Sequence, residues 1–298
     1  MRRRDVVPFL GVLLFLAPQT PAQEASAGPP PVLSFTMEEL KPGSAAAHEK
    51  SVAGFFAVFD KTQAGARRIG LVPVSGDTNH VVYLEGYPSF ADVEAQDRKQ
   101  EEALAANPAW AAELERLVST GGPLHATQRT ALAVYREDLS YRPHKMEEVA
   151  KARYFQVTTL RVKVGRTPDY VAYVKQLNAA REKAQISDVH TAVYQVVTGA
   201  PLSTFYSIST NRSLSEWDDF GKAMAARNKA TDEALGGDTV VRQRAQMAEQ
   251  IYTTISSTLY SVNRALSRPT AEFAALDPGF WSPKVPGKAL ATKKDEKK

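Results

Sequence analysis

The sequence predicts an α+β fold: two tandem βαββαβ repeats whose antiparallel sheets pack into a single-chain α/β barrel. Two observations carry this reading. Strand-period and helix-period segments recur in the same order twice along the chain, and landmarks of the first run return in the second at a nearly constant spacing. Leu40-Lys41-Pro42-Gly43 is answered by Val162-Lys163-Val164-Gly165, 122 positions later. Gly76 is answered by Gly199 at 123, and Ser89-Phe90-Ala91-Asp92 by Ser213-Leu214-Ser215-Glu216 at 124. An offset that grows by one residue at each loop is what diverged tandem copies produce, and a period of this length marks a duplicated domain rather than a solenoid.

Repeat one is placed at 32–143. Val32 to Leu40 alternates Leu33, Phe35 and Met37 with Ser34, Thr36 and Glu38, the period of a half-buried strand. Pro42-Gly43 ends it, and Ser44 is a candidate N-cap for a helix carrying Val52, Phe55, Phe56 and Phe59 on one face. Strands at Arg68–Val74 and Val81–Glu85 flank a turn at Gly76-Asp77. Ser89 then caps a second helix with Asp92 three residues on. Asn107-Pro108 interrupts the helical region, Ala109–Val118 forms a further helix, and the fourth strand falls at Thr130–Leu139.

Repeat two is placed at 154–266, after a linker at 144–153. Tyr154, Gln156 and Thr158 alternate with Phe155 and Val157 on its first strand. Thr167 is a candidate N-cap, with Pro168 the first helical residue and Asp169 suited to the dipole, for a helix to about Lys183, and Val189–Val197 and Thr204–Thr210 form the hairpin. Ser213 and Glu216 suit a capping box, with Trp217, Phe220 and Met224 as the buried stripe of the following helix. Gly236-Gly237 breaks it, Val240–Ala248 is an extra helix, and Ile251–Leu259 closes the repeat. The order is the ferredoxin-like split βαβ plan, met twice. Residues 267–298 form a C-terminal extension anchored by Phe273, Phe280 and Trp281, ending in a disordered Lys-rich tail.

Arg2, Arg3 and Arg4 precede an apolar run from Val6 to Ala17, so 1–22 reads as a signal peptide and 23–31 as a linker. Cleavage after Ala22 or after Ala27 both fit. The expected protein is exported, periplasmic or extracellular, without a transmembrane segment after cleavage. The chain has no cysteine, which excludes disulfides and thiol catalysis. Its net charge is +4, but the leader and the lysines from Lys284 onward hold more than all of that excess, so the folded part is slightly acidic and a nucleic-acid partner is not expected.

Leu-Lys-Pro-Gly at 40–43 and Val-Lys-Val-Gly at 162–165, each closing an alternating strand and followed at once by a helix, resemble the dimeric α/β-barrel superfamily, in particular its NIPSNAP-like and antibiotic-biosynthesis-monooxygenase-like groups. So do the hairpins and the junctions Tyr87-Pro88-Ser89-Phe90 and Asn211-Arg212-Ser213-Leu214. The resemblance implies two ferredoxin-like sheets packed face to face, here both from one chain, as a monomer or a homodimer. It also implies haem as a minor option; no other cofactor is expected.

If Leu33, Phe35 and Met37 face the helices, as Val82, Leu84, Tyr206 and Ile208 would by the same alternation, the opposite set lines the barrel interior. That set is Glu38, Tyr83, Glu85, Gln156, Thr158, Gln195, Ser207 and Tyr252, with Ser34, Thr36, Phe205 and Ser209 beside them. Such a lining suits a small, partly apolar ligand held between the sheets; the bland reading is that these groups satisfy one another or face solvent at the rim. Glu38 and Glu85 form a candidate acid/base pair. The five histidines, His48, His80, His125, His144 and His190, show no spacing that puts two on one helical face, and no metal site is expected. Phosphate-cradling glycine loops and a nucleophile elbow are missing from the sequence. The leading expectation is a binding protein. The alternatives are a cofactor-independent monooxygenase-like or isomerase-like enzyme and a structural or protein-interaction module.

Overall fold

The computed structural model describes residues 28–282. The leader and the Lys-rich tail lie outside the described residues. The observed fold is α+β: eight antiparallel strands closed into a barrel, with the helices outside. In chain order the elements are β1 (Val32–Leu40), α1 (Ala45–Thr62), β2 (Arg68–Pro73), β3 (His80–Tyr87), α2 (Phe90–Ala105), α3 (Pro108–Gly121) and β4 (His125–Tyr135). A short α4 (Met146–Ala150) leads to β5 (Tyr154–Val162), α5 (Thr167–Lys183), β6 (Ala192–Thr198), β7 (Thr204–Asn211), α6 (Ser215–Leu235), α7 (Asp238–Ile251) and β8 (Tyr252–Arg268). Two short helices, α8 (Ala271–Ala275) and α9 (Pro278–Trp281), complete the described chain.

The strands close in the order β1-β3-β2-β8-β5-β7-β6-β4. The first half supplies β4-β1-β3-β2 and the second β8-β5-β7-β6. They are joined through β2 against β8 and β6 against β4. The last strand is longer than expected. Its first part pairs with β5, while Tyr260 to Arg268 pairs with β2 and so ties the two halves together. Both hairpin turns place glycine in the left-handed region, Gly76 and Gly199 each at φ +84°. Gly199 also has no room for a side chain, because a Cβ there would lie 2.0 Å from the Thr130 carbonyl oxygen.

The parity of the strands is the reverse of the expected one. Leu33, Phe35, Val82, Leu84, Phe155, Val157, Tyr194, Tyr206, Ile208 and Tyr260 form a single buried cluster drawn from both halves. Phe35 stacks on Tyr206 with ring centroids 4.3 Å apart, although β1 and β7 are not neighbours in the barrel, so the two rings meet across the lumen. An eight-stranded barrel is narrow enough for its own side chains to fill it. Each large apolar side chain buried there contributes about 1.5–3 kcal/mol. The alternate residues therefore point outward, beneath or between the helices.

Local capping also departs from expectation at three helices, among them α5, where Arg166 is the N-cap and Thr167 already lies inside the helix. Ser44 makes no side-chain cap, and Ser213 bonds to Ser215 rather than to the helix backbone. Glu216 instead accepts from the Arg212 amide at 2.9 Å. Ser89 does cap α2, accepting from the Asp92 amide at 3.2 Å. The C-terminal segment packs beside α4: Trp281 donates its indole N–H to the Ala150 carbonyl at 2.9 Å, and Arg153 lies 3.7 Å over the Phe280 ring while pairing with Asp277.

Candidate functional site

Gln156 and Thr158 on β5 and Ser207 and Ser209 on β7 alternate with lumen residues and so face outward, where they floor a groove of about 750 Å³. That volume lies within the roughly 300–1,000 Å³ typical of small-molecule sites. Gln156 and Thr158 both donate to Ser257 Oγ of β8, each at 3.0 Å. The far wall is α6, carrying Trp217, Phe220, Met224 and Arg227. These apolar residues were expected to be a buried stripe. Phe220 and Met224 are instead 43% and 46% exposed, since here the sheet presents hydroxyls and an amide and leaves the helix nothing apolar to pack against. A helix standing off its sheet is what opens the groove.

Charge in the groove is unevenly satisfied. Asp188 pairs with Arg227 at 3.2 Å, Glu216 accepts from the Arg212 amide, and Glu148 accepts from the Lys145 amide at 2.8 Å. Arg227 also lies 3.9 Å over the Phe220 ring. The guanidinium of Arg181, half-buried on α5, has no carboxylate partner among the described residues. It leans on Asn178 Oδ1 at 3.3 Å and on the Tyr141 ring at 5.5 Å. Burial holds its pKa below the ordinary value. A partly desolvated cation of this kind gains from an anion brought to it.

At the end of the groove His144 and His190 stack with ring centroids 4.1 Å apart. His144 Nδ1 lies 2.8 Å from Thr210 Oγ1, and His190 Nδ1 lies 2.7 Å from the Arg142 carbonyl oxygen. Burial, aided by the neighbouring His190, lowers the His144 pKa below 6.5, so its imidazole is neutral at pH 7. The pair also borders a smaller apolar cavity of about 120 Å³ at the barrel end, lined by Leu33, Leu84, Phe155, Tyr194 and Phe273 among others.

The remaining expected site residues go elsewhere. Glu38, Tyr83 and Glu85 lie on the outer face of the first half. Glu38 is 6% exposed and bonded to His48 of α1, and Glu85 pairs with Arg68 at 2.8 Å and accepts from the Tyr87 hydroxyl at 2.9 Å. Glu38 and Glu85 thus each hold separate partners rather than forming an acid/base pair. Gln195 accepts from Arg136 outside β6. Tyr252 packs against Tyr170 and Tyr173 under α5. None of the eight lines the lumen, and the structure unites Gln156, Thr158 and Ser207 alone in the groove. Reading by periodicity missed Arg181, Asp188 and Arg227, which belong to a helix, a loop and another helix; the signal that could have found the groove is a helix whose apolar stripe faces a strand of hydroxyls.

Haem does not suit this groove. Its two imidazoles stack on each other, and opposite the apolar wall of α6 the floor carries hydroxyls and an amide with charged groups at the rim, so the groove is not an apolar slot closed on both faces.

No family model and no curated protein matches the sequence. Among solved structures, the chain is similar to an anthrone oxidase-like protein at 11% identity, with 80% of this chain and 93% of that one covered and a TM-score of 0.49. It is also similar to a mutant chlorite dismutase from Candidatus Nitrospira defluvii at 9% identity, covering 82% and 96% with a TM-score of 0.45.

Proposed function

We propose that the groove on the outer face of the second half binds a small, partly apolar anion, and that the chain acts on it as a cofactor-independent enzyme with His144 as the base. The observation that carries this reading is Arg181, a half-buried cation without a carboxylate partner among the described residues, facing a groove whose own carboxylates are already engaged. Trp217, Phe220 and Met224 offer the apolar contact, and Gln156, Thr158, Ser207 and Ser209 the orienting hydrogen bonds. A neutral imidazole at the groove's end suits abstraction of a proton from an activated carbon or a phenol, the step that isomerase-like and cofactor-independent oxygenase-like chemistry share. The passive binding of a ligand between the sheets is less well supported, because apolar side chains fill the lumen and leave about 120 Å³ at one end.

The same reading makes the chain a tandem duplication within the dimeric α/β-barrel superfamily, supported by the matching strand order of the two halves and by the matched glycine turns. Export by way of the leader is part of the proposal and is tested by N-terminal sequencing of protein from the exported fraction.

Calorimetric titration with aromatic carboxylates and their uncharged amides tests the site. Carboxylates are expected to bind and amides to bind at least about tenfold more weakly, a preference lost in Arg181→Met. Equal binding of acid and amide, or a preference that survives Arg181→Met, overturns the assignment. For any carboxylate that binds and carries an exchangeable C–H, His144→Gln is expected to abolish its enzyme-dependent deuterium exchange while leaving affinity unchanged.

A further inference from the structure

The first half holds a buried polar cluster that the groove does not use. Glu38 of β1, His48 of α1 and His125 of β4 converge beneath α1, with one possible ligand atom from each all lying within 4.8 Å of one another. His48 Nε2 is 2.8 Å and His125 Nε2 3.3 Å from the same carboxylate oxygen, Glu38 Oε2. Gln128 Nε2 donates to the other oxygen, Oε1, at 3.0 Å and fixes the carboxylate's orientation. Burial acts to raise the Glu38 pKa, but the His48 hydrogen bond and the charges of His48, His125 and Arg68 outweigh it and hold the carboxyl below its ordinary value.

The second half shows that the fold itself does not ask for these groups. The strand registers place Leu40 opposite His125 and Val162 opposite Tyr252, each just past a slip in the pairing, and place Glu38 opposite Gln128 and Leu160 opposite Ile255. His48 and Tyr170 are each the fourth residue of their helix. Where the first half has Glu38, His48, His125 and Gln128, the second therefore has Leu160, Tyr170, Tyr252 and Ile255. Even the ring geometry is kept, with His48 and His125 edge to face at 5.2 Å and Tyr170 and Tyr252 edge to face at 5.9 Å. Leu160, Tyr170 and Tyr252 satisfy the packing there as part of one apolar cluster, while Ile255 lies exposed, so burying a carboxylate and two imidazoles in their place incurs a desolvation penalty that packing does not require.

A second feature points to a missing ligand. The Tyr83 hydroxyl, on the outward face of the strand beside β1, is buried without a hydrogen-bond partner among the described residues. Its pKa is raised by burial and then by the charge of Glu38. An orphaned buried hydroxyl beside an ionised carboxylate is a group awaiting a partner.

We propose that Glu38, His48 and His125 bind a divalent transition-metal ion, with Gln128 orienting the carboxylate and the Tyr83 hydroxyl nearby for a metal-bound water or ligand. Two imidazoles and a carboxylate without a thiol suit zinc or iron(II). Metal–ligand bonds of about 2.0–2.2 Å separate neighbouring donors by roughly 3 to 3.5 Å, close to the 2.8 and 3.3 Å between Glu38 Oε2 and the two imidazole nitrogens. Three protein ligands leave coordination open, the arrangement of a reactive rather than a purely structural site. Sequence spacing could not reveal it, because the three ligands come from three separate elements.

The test uses the full chain, freed of metal with a chelator and titrated with cobalt(II) and zinc. One equivalent of cobalt(II) is expected to bind with visible ligand-field absorption and to be displaced by zinc. His125→Asn, at the half-buried start of β4, is expected to weaken zinc by at least about 100-fold, and the outer-shell change Gln128→Leu by about tenfold. His144→Gln, in the groove of the second half, should leave zinc binding unchanged. Circular dichroism of each variant separates ligand loss from unfolding. Failure of the folded wild-type chain to bind one equivalent, or zinc binding that is indifferent to His125→Asn or lost equally in His144→Gln, overturns the proposal.

Discussion

Replacing Glu38 by leucine leaves His48 and His125 beneath α1 without their shared acceptor. His48 is 2% exposed and cannot turn to water. Leaving two largely buried imidazoles without their shared hydrogen-bond partner costs about 1–3 kcal/mol each, which for a chain of this size lowers the melting temperature by roughly 5–10 °C. The second half supplies the compensating changes: Glu38→Leu combined with His48→Tyr and His125→Tyr installs its packed residues, Leu160, Tyr170 and Tyr252, at the matching positions. Exchanging a buried hydrogen-bonded polar cluster for packed apolar groups of similar shape is nearly neutral or stabilising. The combined variant should therefore regain the loss of the single one. Urea unfolding followed by circular dichroism measures both, with the slope checked for constancy so that the midpoint reports stability. A combined variant as unstable as Glu38→Leu alone would refute the reasoning and make the polar cluster a requirement of the fold.

Because the folded pKa of Glu38 lies below 4.5, its contribution to stability is present above that pH and is lost as pH falls through the folded value; wild type should lose stability faster than the combined variant in acid unfolding below about pH 4.5. Phe35→Ala removes one ring of the pair that spans the lumen and is expected to cost about 3–5 kcal/mol in the same urea assay. Gly199→Ala should also lower the urea midpoint, since it meets both a left-handed backbone and the Thr130 carbonyl oxygen. Proton NMR of His144 should show titration below pH 6.5, and titration at or above that value would remove its assignment as a base neutral at pH 7.

The elements were legible in the sequence because each strand and helix carries its own period. The direction in which a strand's two faces point was not. Leu33 and Phe35 alternate with Ser34 and Thr36 whether the apolar set faces helices or lumen, and only closure of the barrel on itself decides between them. For the same reason alternation identifies Glu38, Tyr83 and Glu85 as one face of a sheet without telling which side of the barrel that face meets. The stripe of Trp217, Phe220 and Met224 reads like any amphipathic helix, and its exposure depends on Gln156 and Thr158 of β5, far earlier in the chain, joining Ser207 and Ser209 of β7 opposite it. His48 and His125 lie 77 positions apart and converge only when β1 places Glu38 between them.

The pairing of β2 with the far end of β8 sets a timetable for folding. Arg68 meets Arg268, so the seam that joins the first half to the second forms from residues separated by 200 positions. A growing chain that has not yet reached Arg268 lacks part of the strand that seals β2, and the apolar faces of Leu71, Val82 and Phe155 await closure. Such long-range pairing is slow and leaves sheet edges open to wrong partners in the meantime. The molecule therefore depends on being kept unaggregated until almost its whole length is available, and loss of the last dozen residues of β8 would open the seam with β2 and leave one open sheet, its halves still joined through β4 and β6, instead of a closed barrel.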